Sequence, residues 1–196
     1  MNTQKNKTYR IAILGILSAF IIVQTFVPFL GNIPIPPLNP TIIHITVIVA
    51  AFVLSTKDGM LVGLVWGLAR MVKAYTLPAS PLDLLLWTNP VIAVVPRVMV
   101  GLVAGLVFHA FLKRKQEKVG MVTAAVLGSL TNTVLVLGFI ALFYGNEYAT
   151  ALNVDPSNLL KVLAGIIATN GIGEAVAAGL IAPFIATPLM KARRKK

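Results

Sequence analysis

Long apolar runs, separated by short stretches rich in proline, glycine and basic residues, dominate the pattern of this chain. The runs are continuous instead of alternating, and several approach the roughly 20 residues that an α-helix needs to cross a bilayer. A short turn or re-entrant piece is expected at Leu82–Trp87, before the fourth helix. The pattern predicts six helices, at Tyr9–Phe29, Thr41–Ser55, Met60–Tyr75, Val91–Leu112, Val119–Tyr144 and from Asn158 to a fading end near Pro183–Pro188.

Composition makes a bilayer the solvent that fits this chain. Apolar residues form 57% of it and charged residues 12%, with a mean hydropathy of +0.86. Soluble domains are about 45–50% apolar and about 25% charged, so a soluble fold with this composition would lack the charges to cover its surface. We therefore predict an all-α membrane protein with six transmembrane helices, forming a single domain over residues 1–196 in the cell membrane.

The positions of the basic residues predict the orientation. A net charge of +11 would suggest a nucleic-acid partner in a soluble protein. Here the basic residues are confined mostly to the tails and short connections, which is typical of cytoplasmic loops and predicts no nucleic-acid binding. Placing both termini in the cytoplasm (N-in, C-in) puts 13 of the 17 basic residues there: Lys5, Lys7, Arg10, Lys57, Lys113, Arg114, Lys115, Lys118, Lys191, Arg193, Arg194, Lys195 and Lys196.

The sequence lacks the motifs of several chemistries. It contains no cysteine, no Walker A sequence, and neither an HExxH nor a GxSxG motif. Glu174 is the only acid well inside a predicted span, whereas ion-coupled carriers usually need more acidic groups there. We therefore expect no enzymatic activity, no cofactor and no hydrolysis of ATP by this chain. It has candidate binding residues but no visible source of energy.

Polar residues inside the predicted helices gather at or above the midplane, toward the outside. Arg97 lies about two turns below the outer end of the fourth helix, so it is the natural anchor for an anion. Pro96 withdraws a backbone hydrogen bond beside it. The pattern indicates a pocket open to the outside, with the candidate site residues Arg97, Arg70, His44, Trp66, Asn89, Asn132, Asn170 and Glu174.

Each candidate also has a purely structural interpretation. Arg97 pairing with Glu174 would simply lock two helices together, and Arg70 is close enough to the interface to snorkel. Asn132 and Asn170 suit contacts between helices. Trp87 is placed like an interface-belt residue, and a lone histidine such as His44 is often a packing residue. The group of residues at one depth is the stronger argument.

Two segments resemble a known family. "TIIHITVIVAAFVLSTKDGMLVGLVWGL" places a histidine at the start of helix two and glycines along helix three, and "SPLDLLLWTNPVIAVVPRVMVGLVAGLVF" runs from Asn-Pro through Pro-Arg into helix four. With the length and topology, this pattern is similar to the S components of energy-coupling factor (ECF) vitamin transporters, especially the pantothenate type. The resemblance implies a subunit that captures a vitamin outside. It then joins a membrane coupling subunit and two ATP-binding subunits, and topples to release the vitamin inside.

The resemblance also implies roles for particular residues. Arg97 would take the vitamin's carboxylate, Asn132 and Asn170 its amide and hydroxyls, and Trp66 would form an apolar wall. Glu174 would orient Arg97 or accept a hydroxyl. The loop "GNIPIPPLNP" would close over the ligand as a lid.

Helix one carries a small-residue face at Ala12, Gly15 and Ala19. It would dock on the coupling subunit, although the family's Ala-xxx-Ala pattern is here Gly15-xxx-Ala19. The alternatives are an S component for a pyridoxine- or hydroxymethylpyrimidine-like compound, and a stand-alone secondary transporter.

Overall fold

The computed structural model describes residues 2–31 and 41–194, and in these ranges the regular structure is helical. A 3₁₀ turn at Pro156–Asn158 and a π-helical turn at Ile167–Gly171 flank α9. The loop expected to act as a lid lies outside the described residues, apart from Gly31. The α-helices are α1 Asn2–Phe26, α2 Pro28–Gly31, α3 Ile43–Val53, α4 Thr56–Thr76, α5 Pro81–Trp87, α6 Pro90–Ala93, α7 Val95–Lys113, α8 Glu117–Ala151, α9 Leu159–Ile166 and α10 Ile172–Arg194.

Contacts between the helices define how the chain runs through the bundle. Arg10 of α1 pairs with Asp58 at the start of α4, with Nη2 2.7 Å from Oδ1. Lys73 at the end of α4 bonds the Thr25 carbonyl near the end of α1. Helices α1 and α4 are therefore parallel, and α3 returns between them. The same end of the bundle receives the last turn of α10, where Arg193 donates to the carbonyl oxygens of Val53 and Leu54.

The core is built around α3. All 11 residues of this helix are buried, and it packs against α1, α4, α7, α8 and α10. A helix that is apolar on every side can be accommodated only where neighbours surround it. Helix α3 has 11 residues and α4 has 21, so the neighbouring helices extend beyond the N-terminal end of α3 at Ile43.

Glycines bring α4 into close contact with α3 and with the segment formed by α6 and α7. A Cβ atom on Gly67 would lie 2.7 Å from Val94 Cα, and one on Gly59 would lie 2.6 Å from the Ala51 Cβ atom of α3. Gly101 faces the Gly59 backbone in turn, so small residues meet from both helices. Such faces allow van der Waals packing to hold helices together where lipid removes the hydrophobic driving force.

Several of the predicted helix boundaries need correction. The first helix begins at Asn2 and ends at Phe26, and the fourth is interrupted at Val94. The sixth helix was expected to fade at Pro183–Pro188, but α10 continues through both prolines to Arg194. Ala178, Ala182 and Ala186 are fully buried at intervals of four residues, so packing on the core holds the helix where prolines remove backbone bonds. The fifth helix continues to Ala151 beyond a kink at Tyr144, whose φ of −138° is not helical.

The lengths and composition of the helices support the prediction of a membrane protein. In the described ranges, four helical segments are long and apolar enough to cross a bilayer: Lys7–Phe26, Pro90–Lys113, Glu117–Ala151 and Pro156–Arg193. Helix α3 is apolar but short. Helix α4 has the length but carries four charged residues, Lys57, Asp58, Arg70 and Lys73.

We expect Gly59→Ala to lower the melting temperature. The added methyl group meets the Ala51 side chain and backbone, and overpacking of this kind costs about 1–3 kcal/mol. Gly138→Ala on α8 is the matched control, because its methyl group meets no atom within 4 Å. Heating both variants in detergent and following the monodisperse fraction by size-exclusion chromatography measures the difference. Equal melting temperatures would contradict close packing at Gly59.

Candidate ligand-binding site

A cavity of about 490 Å³ opens above the end of α3. Its walls come from α1, α4, α5, α7, α8, the π-helical turn and α10, so distant parts of the sequence meet there. Its size lies within the roughly 300–1,000 Å³ of small-molecule sites. The polar and aromatic lining residues are Gln24, Thr25, Thr41, Trp66, Arg70, Lys73, Ser80, Asp83, Trp87, Arg97, Asn132, Thr133, Tyr148, Asn170 and Glu174.

Arg97 is the buried cation of this cavity. Its exposed fraction is 4%, and its Nη1 donates to the carbonyl oxygen of Ile92 at 2.7 Å. The guanidinium Cζ lies 4.9 Å from the ring centroid of Trp66 and 4.6 Å from that of Trp87. Within the described part of the chain, Arg97 forms no ion pair, and its buried Nε has no hydrogen-bond partner. The side chain therefore retains donors for an anion.

Arg70 is held by the short helix α5. It forms an ion pair with Asp83, and its Cζ lies 4.8 Å from the Trp87 ring centroid. Asp83 is buried and also accepts from the Ala79 N–H at 3.2 Å, while Ser80 caps the helix. Trp87 thus contacts two guanidinium groups. Its ring lines the cavity, in addition to any place it has in an interface belt.

Glu174 does not pair with Arg97. Its Oε1 accepts from the Thr41 N–H at 2.7 Å, and its Oε2 accepts from the Thr133 hydroxyl at 3.2 Å. The carboxylate therefore ties α10 to α8 and to the segment that leads into α3. The alternative prediction, that an ion pair between Arg97 and Glu174 locks two helices together, is therefore wrong.

The cavity carries a surplus of one positive charge. Arg70, Lys73 and Arg97 are its three lining cations, and Asp83 and Glu174 its two acids. Lys73 Nζ donates to the Thr25 carbonyl at 2.7 Å and has no carboxylate partner in the described ranges. Arg70 is neutralised by Asp83, so a monoanion would balance the remaining surplus.

Two asparagines add uncharged polar groups. Asn132 is largely buried on α8, and its Oδ1 has no hydrogen-bond partner among the described residues. Asn170 belongs to the π-helical turn Ile167–Gly171, which widens the backbone beside the cavity. Irregular turns of this kind are frequent at functional sites. Both amides line the cavity.

Six of the eight site residues predicted from the sequence line this cavity: Arg97, Arg70, Trp66, Asn132, Asn170 and Glu174. The other two are placed elsewhere. His44 is fully buried within α3. Asn89 caps α6 through a bond from the Val91 N–H to its Oδ1 at 2.9 Å, and its Nδ2 donates to the Tyr144 hydroxyl at 3.3 Å. Asn89 therefore supports the elements around the cavity.

Four further residues line the cavity but were not predicted from the sequence: Trp87, Thr133, Lys73 and Asp83. Their spacing relative to the predicted residues and to one another was a partial signal. Thr133 follows Asn132 directly, Lys73 lies one helical turn after Arg70, and Asp83 and Trp87 are four residues apart in one short helix. Nothing in those spacings indicates that α5 folds against Arg70, because that contact is tertiary.

Comparison with known proteins places this chain in a family. A family model described as "ECF transporter, substrate-specific component" matches residues 9–186. The chain therefore belongs to the family of S components of ECF transporters. Membership and the apolar helices indicate a membrane-embedded transporter subunit, not an enzyme.

Two relatives resemble the chain over nearly its whole length. "Pantothenic acid transporter PanT" of Lactococcus lactis subsp. cremoris is 34% identical, covering 97% of this chain and 98% of its own length. "Pantothenate transporter PanT" of Leuconostoc mesenteroides subsp. mesenteroides is 31% identical, covering 94% of each chain.

We expect Asp83→Asn to destabilise the protein. The substitution keeps the shape of the side chain but leaves the Arg70 cation without its partner, and breaking a buried pair costs about 3 kcal/mol. Combining it with Arg70→Met should recover much of the loss, because both charges are then absent. Asp155→Asn at an exposed turn is the control. Thermal unfolding in detergent measures all four proteins, and an unchanged melting temperature for Asp83→Asn would refute the role of the pair.

Proposed function

We propose that this chain is the pantothenate-binding S component of an ECF-type importer. In this proposal, residues 1–196 act as one substrate-binding domain with six membrane spans, and both termini lie in the cytoplasm. The bias of basic residues toward one end of the bundle supports that orientation. The names of the two relatives support the substrate.

The observation that carries the proposal is the environment of Arg97. A permanent cation in an apolar bundle is costly unless it is paired or solvated. Here it contacts one carbonyl oxygen and two aromatic rings, and it faces a cavity with a surplus positive charge. A carboxylate ligand would complete its coordination through the fork geometry of the guanidinium.

Pantothenate matches the distribution of groups in the cavity. It carries a carboxylate at one end, an amide in the middle and two hydroxyls at the other end. We assign the carboxylate to Arg97, and the amide and hydroxyls to Asn132, Asn170 and Glu174. The indole of Trp66 provides an apolar wall.

The energy would come from partner subunits. We propose docking on a membrane coupling subunit that carries two ATP-binding subunits, followed by toppling of the S component to release the vitamin inside. Helix α1 supports this, because only 17% of its apolar span is buried. Ala12, Gly15 and Ala19 are exposed on its surface.

We expect Arg97→Ala to weaken pantothenate binding by about 100-fold or more, because a hydrogen-bonded charge pair at a buried site is worth 2–5 kcal/mol or more. Isothermal titration calorimetry on the purified protein measures the dissociation constant. Lys161→Ala removes an exposed cation outside the cavity and is the matched control.

Two outcomes would redirect the proposal. Equal affinity of Arg97→Ala and wild type would refute the carboxylate assignment. If mass spectrometry of the purified chain finds a bound pyridoxine- or hydroxymethylpyrimidine-like compound instead, the substrate is wrong but the family function stands.

We expect Gly15→Leu to abolish vitamin uptake while leaving binding unchanged. A Cβ atom at Gly15 meets nothing within 4 Å, so the larger side chain is accommodated in the isolated protein but projects from the docking face. Gly138→Leu, equally open on α8, is the control. Uptake of labelled pantothenate by cells, with calorimetry alongside, separates the two steps. Normal uptake by Gly15→Leu would count against this docking surface.

A further inference from the structure

The backbone acceptor that holds Arg97 is one that a regular helix would have used. In an α-helix, the carbonyl of residue 92 accepts from the N–H of residue 96. Residue 96 is proline, which has no N–H, so the Ile92 carbonyl lacks its helical donor. The Arg97 Nη1 donates to that carbonyl oxygen at 2.7 Å. The side chain therefore occupies the position that the proline leaves open.

The surrounding backbone fits this arrangement. The helix is interrupted at Val94, between α6 and α7, where the Val94 N–H still bonds the Pro90 carbonyl at 2.8 Å. Pro96 is fully buried at this break. Asn89 caps α6, the short helix that carries Ile92, and also contacts Tyr144 on α8. The segment that carries the Ile92 carbonyl is thus held by Asn89 before it and by the buried Pro96 after it.

We infer that Pro96 is a positioning residue for the anion site: by freeing the Ile92 carbonyl, it orients the Arg97 guanidinium between Trp66 and Trp87. This inference rests on the proposed function in so far as Arg97 binds the ligand's carboxylate. Pro96 itself need not touch the ligand, and it does not line the cavity. The bond uses Nη1 and leaves the other donors of the guanidinium for an anion.

The chain provides a direct probe for this arrangement. It contains two tryptophans, and these are the two that flank Arg97. Intrinsic tryptophan fluorescence therefore reports the position of the guanidinium without any ligand. Emission maximum and quenching by acrylamide are the quantities to measure.

The decisive variant is Pro96→Ala, which restores an N–H that competes for the Ile92 carbonyl. We expect the tryptophan emission of the ligand-free protein to change. We expect pantothenate to bind about tenfold more weakly, as loss of one hydrogen bond to a charged group predicts. The melting temperature should stay at or above the wild-type value, because the helix gains a bond. A merely structural role for the proline would instead lower stability and affinity together.

Pro188→Ala is the matched control, since Pro188 also lies within a helical region but is exposed and outside the cavity. Its emission and affinity should equal those of the wild type. If Pro96→Ala leaves either the emission or the affinity unchanged, the inference is wrong. If the wild-type protein does not bind pantothenate at all, the proposed substrate fails, and the fluorescence comparison still decides whether Pro96 positions Arg97.

Discussion

A permanent cation inside an apolar bundle is the constraint around which this structure is organised. Deprotonation of the Arg97 guanidinium is energetically costly, so its surroundings must replace the hydration that it loses on burial. Two indole rings, one carbonyl oxygen and an open cavity do so. The acid that lies on the same cavity is occupied elsewhere, because Glu174 is bonded to Thr41 and Thr133. The cation is stabilised without being neutralised.

The space for a ligand follows from the unequal lengths of the helices. Helix α3 is buried on all sides but spans only 11 residues, so its neighbours continue past its end. At the other end of the bundle, Gly59 of α4 packs closely on Ala51 of α3 and on Gly101 of α7. A hollow remains above Ile43, and Trp66, Arg97 and Asn132 line it. The short helix α3 thus leaves room for this cavity at one end of the bundle.

The loosely covered helix α1 connects this cavity to the surface proposed for docking. Its two ends are tied to α4 by polar contacts, Arg10 with Asp58 and the Thr25 carbonyl with Lys73. Lys73 and Thr25 also line the cavity, so the C-terminal end of α1 belongs to the candidate site. The exposed small residues lie on the same helix. In the proposed function, ligand binding and partner docking would therefore both involve helix α1.

The sequence alone was sufficient to predict the class of protein and several of the residues that line the cavity. Continuous apolar runs and the confinement of charge to short connections leave few alternatives to a helical membrane protein, and charged residues inside such runs stand out. Arg97, Trp66, Asn132 and Asn170 were predicted in this way, and all line the cavity. Their roles in binding remain predictions.

Only the tertiary structure decided which groups meet. The pairing of Arg70 with Asp83, the place of Trp87 beside two guanidiniums, and the contact of Glu174 with Thr41 join residues on different helices. Spacing along one helix constrains which residues share a face, but not what that face meets. The sequence places Pro96 beside Arg97, but only the folded structure shows that the Arg97 side chain reaches the Ile92 carbonyl, which the proline cannot bond.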